Sequence, residues 1–419
     1  MGVLMVFTKE ILDEYRLSKT EWRELKSKIV GVLKDINIYI RKNKVKADVV
    51  VGGSAAKGVL LKGDFDVDLF VRFDPKYKNE DISEILGKIL KPFKPARLQG
   101  SRDYFQFPKE GIHYEVVPVL RIKKWREAVN VTDASPLHVV WVNSKVRKNP
   151  RLIDEIILAK VFLKANRLYG AESYIGGFSG HVVDILVINY GSFLNFLRGA
   201  VKWKPFVVVD VERHYKGREP DLNQSKIGPL ILIDPVQPQR NAAAAVNLET
   251  FNRLIEVAKR FLKSPNQKYF VRAELGESKL KAIAGPDKLI TLELGLKRGK
   301  LDVNGARIVK TLEFLATKLK ENDFKVINKG WEWDKGSKAI VWLVVDRKPL
   351  EKVKMHAGPP INLKEHAAAF KKIYKKSFVK DGKLFAEIKR KYTEPEKLAG
   401  VLLKDEYIAG RFRQIRLKA

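Results

Sequence analysis

Two aspartates separated by a single valine, Asp66-Val67-Asp68, open the apolar run DVDLFVRF. Side chains alternate between the two faces of a strand, so Asp66 and Asp68 share one face and Val67 points into a core on the other. Two bare carboxylates about 7 Å apart repel each other. A divalent cation removes that penalty, and magnesium accepts one or two carboxylates while leaving room for phosphates. Upstream, ADVVVGGSAAKG reads as a buried strand entering a turn at Gly52-Gly53. The glycine pair lets the backbone approach a phosphate closely. If Ser54 opens a short helix, its backbone N–H and hydroxyl can hold phosphate oxygens, and Lys57 adds positive charge. Eleven residues lie between Ser54 and Asp66. A third carboxylate, Glu115, falls in the strand-like HYEVVPVL. Two cations about 4 Å apart on such a triad can activate an attacking hydroxyl and stabilise a leaving pyrophosphate. Taken singly, Asp-x-Asp is common on solvated edges, a glycine pair is a turn, and Asp64 reads as a turn residue.

The elements around these motifs follow from periodicity. Thr8 is read as the cap of a first helix with Ile11, Leu12, Tyr15 and Leu17 on its apolar face. Trp22, Leu25, Ile29, Val32, Leu33 and Ile36 mark a second helix. A short helix is expected over 82–90, with strands over 104–107 and 112–119 joined by a Lys-Glu-Gly turn. Helices are predicted over 152–165, 180–197, 247–262 and 306–319, and strands over 269–275, 289–296 and 341–345. LILIDPVQPQRN is read as a strand running into a proline-containing turn.

Length and charge bound the partners. The chain has 419 residues, enough for two to four domains. Its 81 Lys+Arg against 49 Asp+Glu give a net charge of +32. Such an excess repels itself and favours a polyanion, nucleic acid first among them, through counterion release. An anionic membrane surface, or a generally basic proteome, is the other reading. The absence of cysteine excludes disulfides and thiolate metal sites, and six scattered histidines argue against zinc. No signal peptide and no run of 18 apolar residues is present, so the expected protein is soluble and cytoplasmic, with no membrane partner.

The ordered set of strand, Gly-Gly-Ser, Asp-x-Asp strand and strand carboxylate resembles the nucleotidyltransferase superfamily, which includes DNA polymerase β-like enzymes, poly(A) polymerases and CCA-adding enzymes. Longer segments narrow the resemblance. AKVFLKANRLYGAESYIGGFSGHVVDILVINYGSF (159–193) and IDPVQPQRNAAAAVNLETF (233–251) resemble the central region of archaeal, class I, CCA-adding enzymes. SPLHVVWVNSKV, MHAGPPINLKEHAAAF and VKDGKLFAEIKRKYTEPEKL are similar to further segments of that family, and the resemblance covers about residues 20–400.

The resemblance implies an α+β chain: a polymerase-β-like nucleotidyltransferase head with a mixed sheet over 1–149, a helical central domain over 150–262, and an α+β C-terminal region over 263–419. It implies template-independent addition of C, C and A to the 3′ end of tRNA from CTP and ATP, with Mg²⁺ as cofactor. Asp66, Asp68 and Glu115 fall on the metal carboxylates. Gly53, Ser54 and Lys57 fall where the family binds triphosphate. His138, Lys160 and Tyr169 match contacts to sugar and phosphates, and Arg240 matches the arginine that reads the base. Each of the last four has a structural alternative: Lys160 solvated, Tyr169 in the core, His138 a helix-start residue beside Pro136, Arg240 paired with Asp234. Lys57 replaces the usual arginine and Glu115 the usual aspartate. Asp133-Ala134 stands where Asp-Arg is frequent, Tyr174-Ile175-Gly176 lacks the basic residues common there, and a short tail is expected.

The C-terminal half is then expected to grip the acceptor stem and T arm of tRNA. Lys371, Lys372, Lys375, Lys376, Lys380, Lys389, Arg390 and Lys391 supply charge for phosphates. Tyr374, Phe378, Phe385 and Tyr392 interleave with them and are read as core. A homodimer is left open. Two rival functions remain at this level: a poly(A)-polymerase-like enzyme and a catalytically silent RNA-binding protein.

Overall fold

The helix carrying the second apolar series runs from Lys19 to Lys42 (α2), following a first helix, Gly2–Tyr15 (α1). Ser18 and Glu21 form a reciprocal capping box at the start of α2, which satisfies two otherwise orphaned backbone N–H groups. Leu25, Ile29, Val32, Ile36 and Ile40 make its buried stripe. In this computed structural model, residues 2–64, 66–218, 221–272 and 275–418 are described. They fall into two units, 1–273 and 274–419. Thr8 is not a cap: α1 begins at Gly2, so Thr8 lies within it.

The sheet of the first unit comprises β1 (Ala47–Val51), β2 (Asp66–Phe73), β3 (Ala96–Leu98), β4 (Tyr104–Lys109) and β5 (Ile112–Leu120), in the order β1-β2-β5-β4-β3. β2 pairs parallel with β5 and the other pairs are antiparallel, so the sheet is mixed, as expected. Val67, Leu69, Val71, Phe73, Tyr114 and Val116 form one core with α2 and with α4 (Ile82–Leu90). The opposite face of the sheet carries the charged residues. The short helix α3 (Gly53–Lys57) leaves the end of β1, and α5 (Ser135–Lys148) follows the sheet.

A second core holds α6 (Leu152–Ala165), α7 (Gly180–Tyr190), α8 (Phe193–Ala200) and α9 (Leu248–Lys263), together with Phe7 and Ile11 of α1. The single helix expected over 180–197 is two helices meeting at 94°. Gly191 takes a left-handed φ of 77° that ends α7, and the Ser192 hydroxyl caps α8. No single helix among the described residues is long and apolar enough to cross a membrane. Two short strands, β6 (Val207–Val209) and β7 (Leu230–Leu232), pair in parallel beside this body. The strand expected over 269–275 does not form in its described part. Asn266 caps a 3-10 turn over Gln267–Phe270, which points Phe270 into the helical core; residues 273 and 274 lie outside the described set.

The second unit is an α+β body. After α10 (Glu277–Ala284), an antiparallel sheet is built from β8 (Lys288–Gly295), β9 (Val326–Trp333) and β10 (Lys338–Val345), with α11 (Leu301–Glu321) packed on it. A three-stranded sheet follows, β11 (Val353–Pro360), β12 (Phe378–Lys380) and β13 (Lys383–Lys389), covered by α12 (Lys364–Ile373). The chain ends with α13 (Pro395–Leu402), α14 (Glu406–Ala409) and β14 (Gln414–Lys418), which closes the first of these sheets beside β8. Of the interleaved aromatics, Tyr374 packs on the small core of Ala367, Phe370, Leu384 and Ala386, as expected, and the other three are not among the residues of that core. Phe378 is exposed and stacks on Phe385, while Tyr374, Phe385 and Tyr392 are half-buried. The lysines around them point to solvent.

Phe261 sits edge-on to Phe7, Phe162 and Phe270 at ring separations of 5.3–6.4 Å. Phe261→Ala is expected to cost the first unit about 3–5 kcal/mol, read as a lowered urea midpoint with an unchanged slope.

Candidate active site

The parallel register of β2 and β5 sets Asp68 directly beside Glu115, and Asp66 beside His113. Asp66, Asp68 and Glu115 therefore share the charged face of the sheet. Asp68 is pushed up to about 6, by burial first and then by the Glu115 charge, while Lys57 pulls the other way. Burial raises Glu115 as well, and Asp66 adds to the rise. Gln106 of β4 opposes it by donating from Nε2 to Glu115 Oε2 at 2.9 Å. This face holds more negative charge than its neighbours offset, and oxygen donors are what a hard divalent cation takes, so these residues fit one.

Both glycines of the turn are demanded by close approach to β2. A Cβ on Gly52 would lie 2.4 Å from the Phe70 ring, and one on Gly53 would lie 1.5 Å from Asp68 Oδ2. Gly53 also has φ +52°, which L side chains rarely adopt. The Gly52 N–H donates to the Asp68 carbonyl at 2.7 Å, fastening the turn to the strand. Ser54 follows in α3, half-buried.

Lys57, at the other end of α3, is buried and donates to Asp184 Oδ2 of α7 at 2.7 Å. Lys160 of α6 is buried too and donates to the Val59 carbonyl at 3.1 Å. Burial chiefly, with help from Lys57 and Lys164, lowers Lys160 to about 8, against the attraction of Asp184. Burial opposes the charge on Asp184, but Lys57 and Lys160 outweigh it and hold its pKa below the usual carboxylate range. Lys164 pairs with Asp64 at 2.5 Å and lies over the Tyr169 ring, 5.2 Å from its centre. Asp64 thus ties the turn before β2 to α6. The Tyr169 hydroxyl sits 2.8 Å from where a Cβ on Gly180 would be, so the glycine that starts α7 leaves space for it.

A second polar group stands behind Lys57. Asp234, fully buried, accepts from His138 Nε2 at 3.0 Å and from Arg240 Nη1 at 2.9 Å. His181 of α7 lies tilted against His138 with ring centres 4.2 Å apart, and burial chiefly lowers its pKa to about 4. Donor atoms of His138, His181 and Asp234 lie within 4.8 Å of one another, the spacing of a metal-ligand set. The Arg240 guanidinium already sits on Asp234 Oδ2, and its positive charge opposes a cation there.

All ten residues expected at the site lie in the first unit. Electrostatic coupling runs from Asp68 to Lys57 and Lys160, from these to Asp184, and from Asp184 to His181 and so to Asp234. Lys160 is not a solvated side chain, and His138 lies in the first turn of α5 but also bonds Asp234. The Arg240–Asp234 pairing is present. Sequence reasoning missed Gln106, His181 and Asp184, and gave Asp234 only as a partner. The signal for two of them is in GHVVDILVI, where His181 and Asp184 stand i, i+3 on one face of an otherwise apolar helix. Asp133 serves the fold around the site, since its oxygens accept from Arg102 and from the backbone N–H of Leu120, Val129 and Asn130.

Three family models match the sequence. A nucleotidyltransferase domain covers residues 33–138, the second domain of tRNA nucleotidyltransferases covers 154–271, and the C-terminal domain of CCA-adding enzymes covers 306–409. A CCA-adding enzyme of Nanoarchaeum equitans is 35% identical over 83% of this chain and 85% of its own length. One from Methanocaldococcus jannaschii is 31% identical over 92% of this chain and 87% of its own. Among solved structures, the Cid1 poly(U) polymerase superposes with a TM-score of 0.51 at 16% identity, covering 64% of this chain and 98% of that one, which is a likeness of fold.

Lys160 gives a pH test. The unfolded lysine keeps its proton to about 10.5, while the folded one releases it near 8. Its buried charge is thus a full cost below pH 8, and the cost fades as pH rises from 8 to 10.5. Lys160→Met is expected to stabilise the protein by roughly 2 kcal/mol at pH 7, with the gain shrinking by pH 9.5, in urea titrations at both values.

Proposed function

The chain belongs to the CCA-adding enzymes, a family of tRNA nucleotidyltransferases, and we propose that its chemistry runs on the charged face shared by β2 and β5. The protein adds C, C and A to the 3′ end of tRNA without a nucleic-acid template. The tRNA 3′-hydroxyl attacks the α-phosphate of CTP or ATP and pyrophosphate leaves. One observation carries the assignment of residues: Asp68 and Glu115 side by side in register, with Asp66 on the same face and Gly53 packed on the Asp68 carboxylate.

Enzymes of this fold depend on divalent metal, and we take the ion to be Mg²⁺, held by Asp66, Asp68 and Glu115. When bound, it lowers the pKa of the attacking hydroxyl and offsets charge on the leaving pyrophosphate. Gln106 keeps Glu115 aimed. Gly53, Ser54, Lys57 and Lys160 line the triphosphate's path, and Tyr169 and His138 lie toward the sugar. Lys57 keeps the positive charge of an arginine without its fork.

Arg240 reads the base. Cytosine and adenine present an exocyclic amino donor beside a ring acceptor, whereas uracil and guanine present a carbonyl there. A donor in a partly buried site leaves unpaired polar groups against the second pair, which is costly. The exposed lysines of 371–391 supply the surface for the acceptor stem and T arm, by shape and phosphate charge. We place the division of labour at 1–149, 150–262 and 263–419, and the protein in the cytoplasm, where tRNA is its substrate.

The test is incorporation of each labelled nucleoside triphosphate, with Mg²⁺, into tRNA ending before CCA, after C and after CC. Two C additions, one A and a stop are expected. Long A tails on arbitrary RNA would replace this reading with a poly(A) polymerase. Asp66→Ala with Asp68→Ala is expected to lower incorporation by about 10³-fold or more while tRNA binding persists. Gly53→Ala displaces the Asp68 carboxylate and is expected to lower kcat by on the order of 10²-fold with the fold intact by circular dichroism.

A further inference from the structure

Asp234 meets more donors than any role as a simple partner of Arg240 requires. Its Oδ1 accepts from the backbone N–H of Val236 at 2.9 Å and of Gln237 at 3.0 Å, as well as from His138 Nε2. Its Oδ2 takes Arg240 Nη1. The loop from 234 to 240 is closed on itself: the Asp234 N–H donates to the Arg240 carbonyl at 3.0 Å, and Ile233 bridges Asn241. Asn241 in turn is buried, accepting from Leu232 and Ala243 and donating to Leu230 and Lys226. Asp234 is thus the centre of a rigid turn, not a group on a mobile arm.

We propose that Asp234 is the positioning residue for nucleotide choice: it fixes Arg240 and His138 so that the guanidinium presents one set of donors, in one place, to the incoming base. The proposal rests on the reading of Arg240 as the residue that meets the base. Arg240 is 40% exposed, and Nη1–Asp234 is the one bond of its guanidinium among the described residues. One end of the fork is anchored while the rest of its N–H groups stay available, which a lysine cannot reproduce with a single nitrogen. A guanidinium free to rotate would follow whichever base carries an acceptor, and discrimination would fall. The same carboxylate settles the His138 tautomer: with Nε2–H donated to Asp234, Nδ1 is left as an acceptor when the ring is neutral. Asn at 234 keeps the size but can offer an acceptor to the two backbone N–H groups only by turning its own NH₂ toward Arg240, donor against donor.

The experiment measures kcat/KM for CTP and UTP on tRNA ending before CCA, for the wild type, Asp234→Asn, Arg240→Ala and the double variant. Asp234→Asn is expected to lower the CTP-to-UTP ratio by roughly 10²-fold. It should match Arg240→Ala, and the double variant should be no worse than either, since both act through one guanidinium. A merely structural role would lower both substrates together and leave the ratio alone. If Arg240→Ala loses selectivity and Asp234→Asn keeps it, the positioning role is overturned and the reading of Arg240 stands. If Arg240→Ala keeps selectivity, the reading of Arg240 falls and this proposal with it. Should Asp234→Asn not fold, Arg240→Lys, a change at a partly exposed side chain, decides the matter. It retains a pairing with Asp234 but no fork, so loss of selectivity is expected, and wild-type selectivity would overturn the proposal.

Discussion

The parallel pairing of β2 with β5 decides where charge must go in the first unit. In this register Asp68 and Glu115 cannot avoid each other, and burial raises the pKa of both. Two acids in that position need positive charge nearby, and two buried lysines, Lys57 and Lys160, provide part of it. Buried lysines in turn need an anion. Asp184 meets that need, which brings α7 of the helical body against α3. The arrangement is a chain of compensations, and each link fixes the next element.

The balance is left incomplete at the paired carboxylates, where both Asp68 and Glu115 stay raised. Breaking a buried pair by removing one partner leaves an uncompensated charge, so Lys57 and Asp184 depend on each other for their place in the interior. Among the described residues, Asp184 Oδ1 is buried without a hydrogen-bond partner, a feature that a lysine's single nitrogen leaves and an arginine fork would fill. The glycines complete the same logic from the backbone side. Space at Gly52 and Gly53 is taken up by Phe70 and by the Asp68 carboxylate, so the glycine turn and the strand that carries Asp66 and Asp68 form one packed object.

Much of this is legible in sequence because it is local. Alternation along 66–73 places the aspartates on one face, and β5 extends only one residue beyond the expected 112–119. The glycine turn and the start of a helix near Ser54 are readable from composition. What stays hidden is long-range or depends on a single residue's backbone. The Lys57–Asp184 and His138–Asp234 bonds span 127 and 96 residues, and no periodicity encodes such pairs. Gly191 breaks a run of apolar residues that reads as continuous helix, because its left-handed φ, not its hydropathy, ends α7. Phe270 sits in a stretch with strand-like composition, yet tertiary burial in the helical core takes precedence over local propensity.

His181 and Asp184 stand one helical turn apart on α7, about 4.5 Å along its axis. The first lies against His138 and Asp234, the second holds Lys57. A single rigid turn therefore works as a ruler between the His138–Asp234 group and the buried ammonium of Lys57. Any tilt of α7 moves both ends by a linked amount. The spacing of these two buried polar groups is then set by one helix and not by two independently mobile loops.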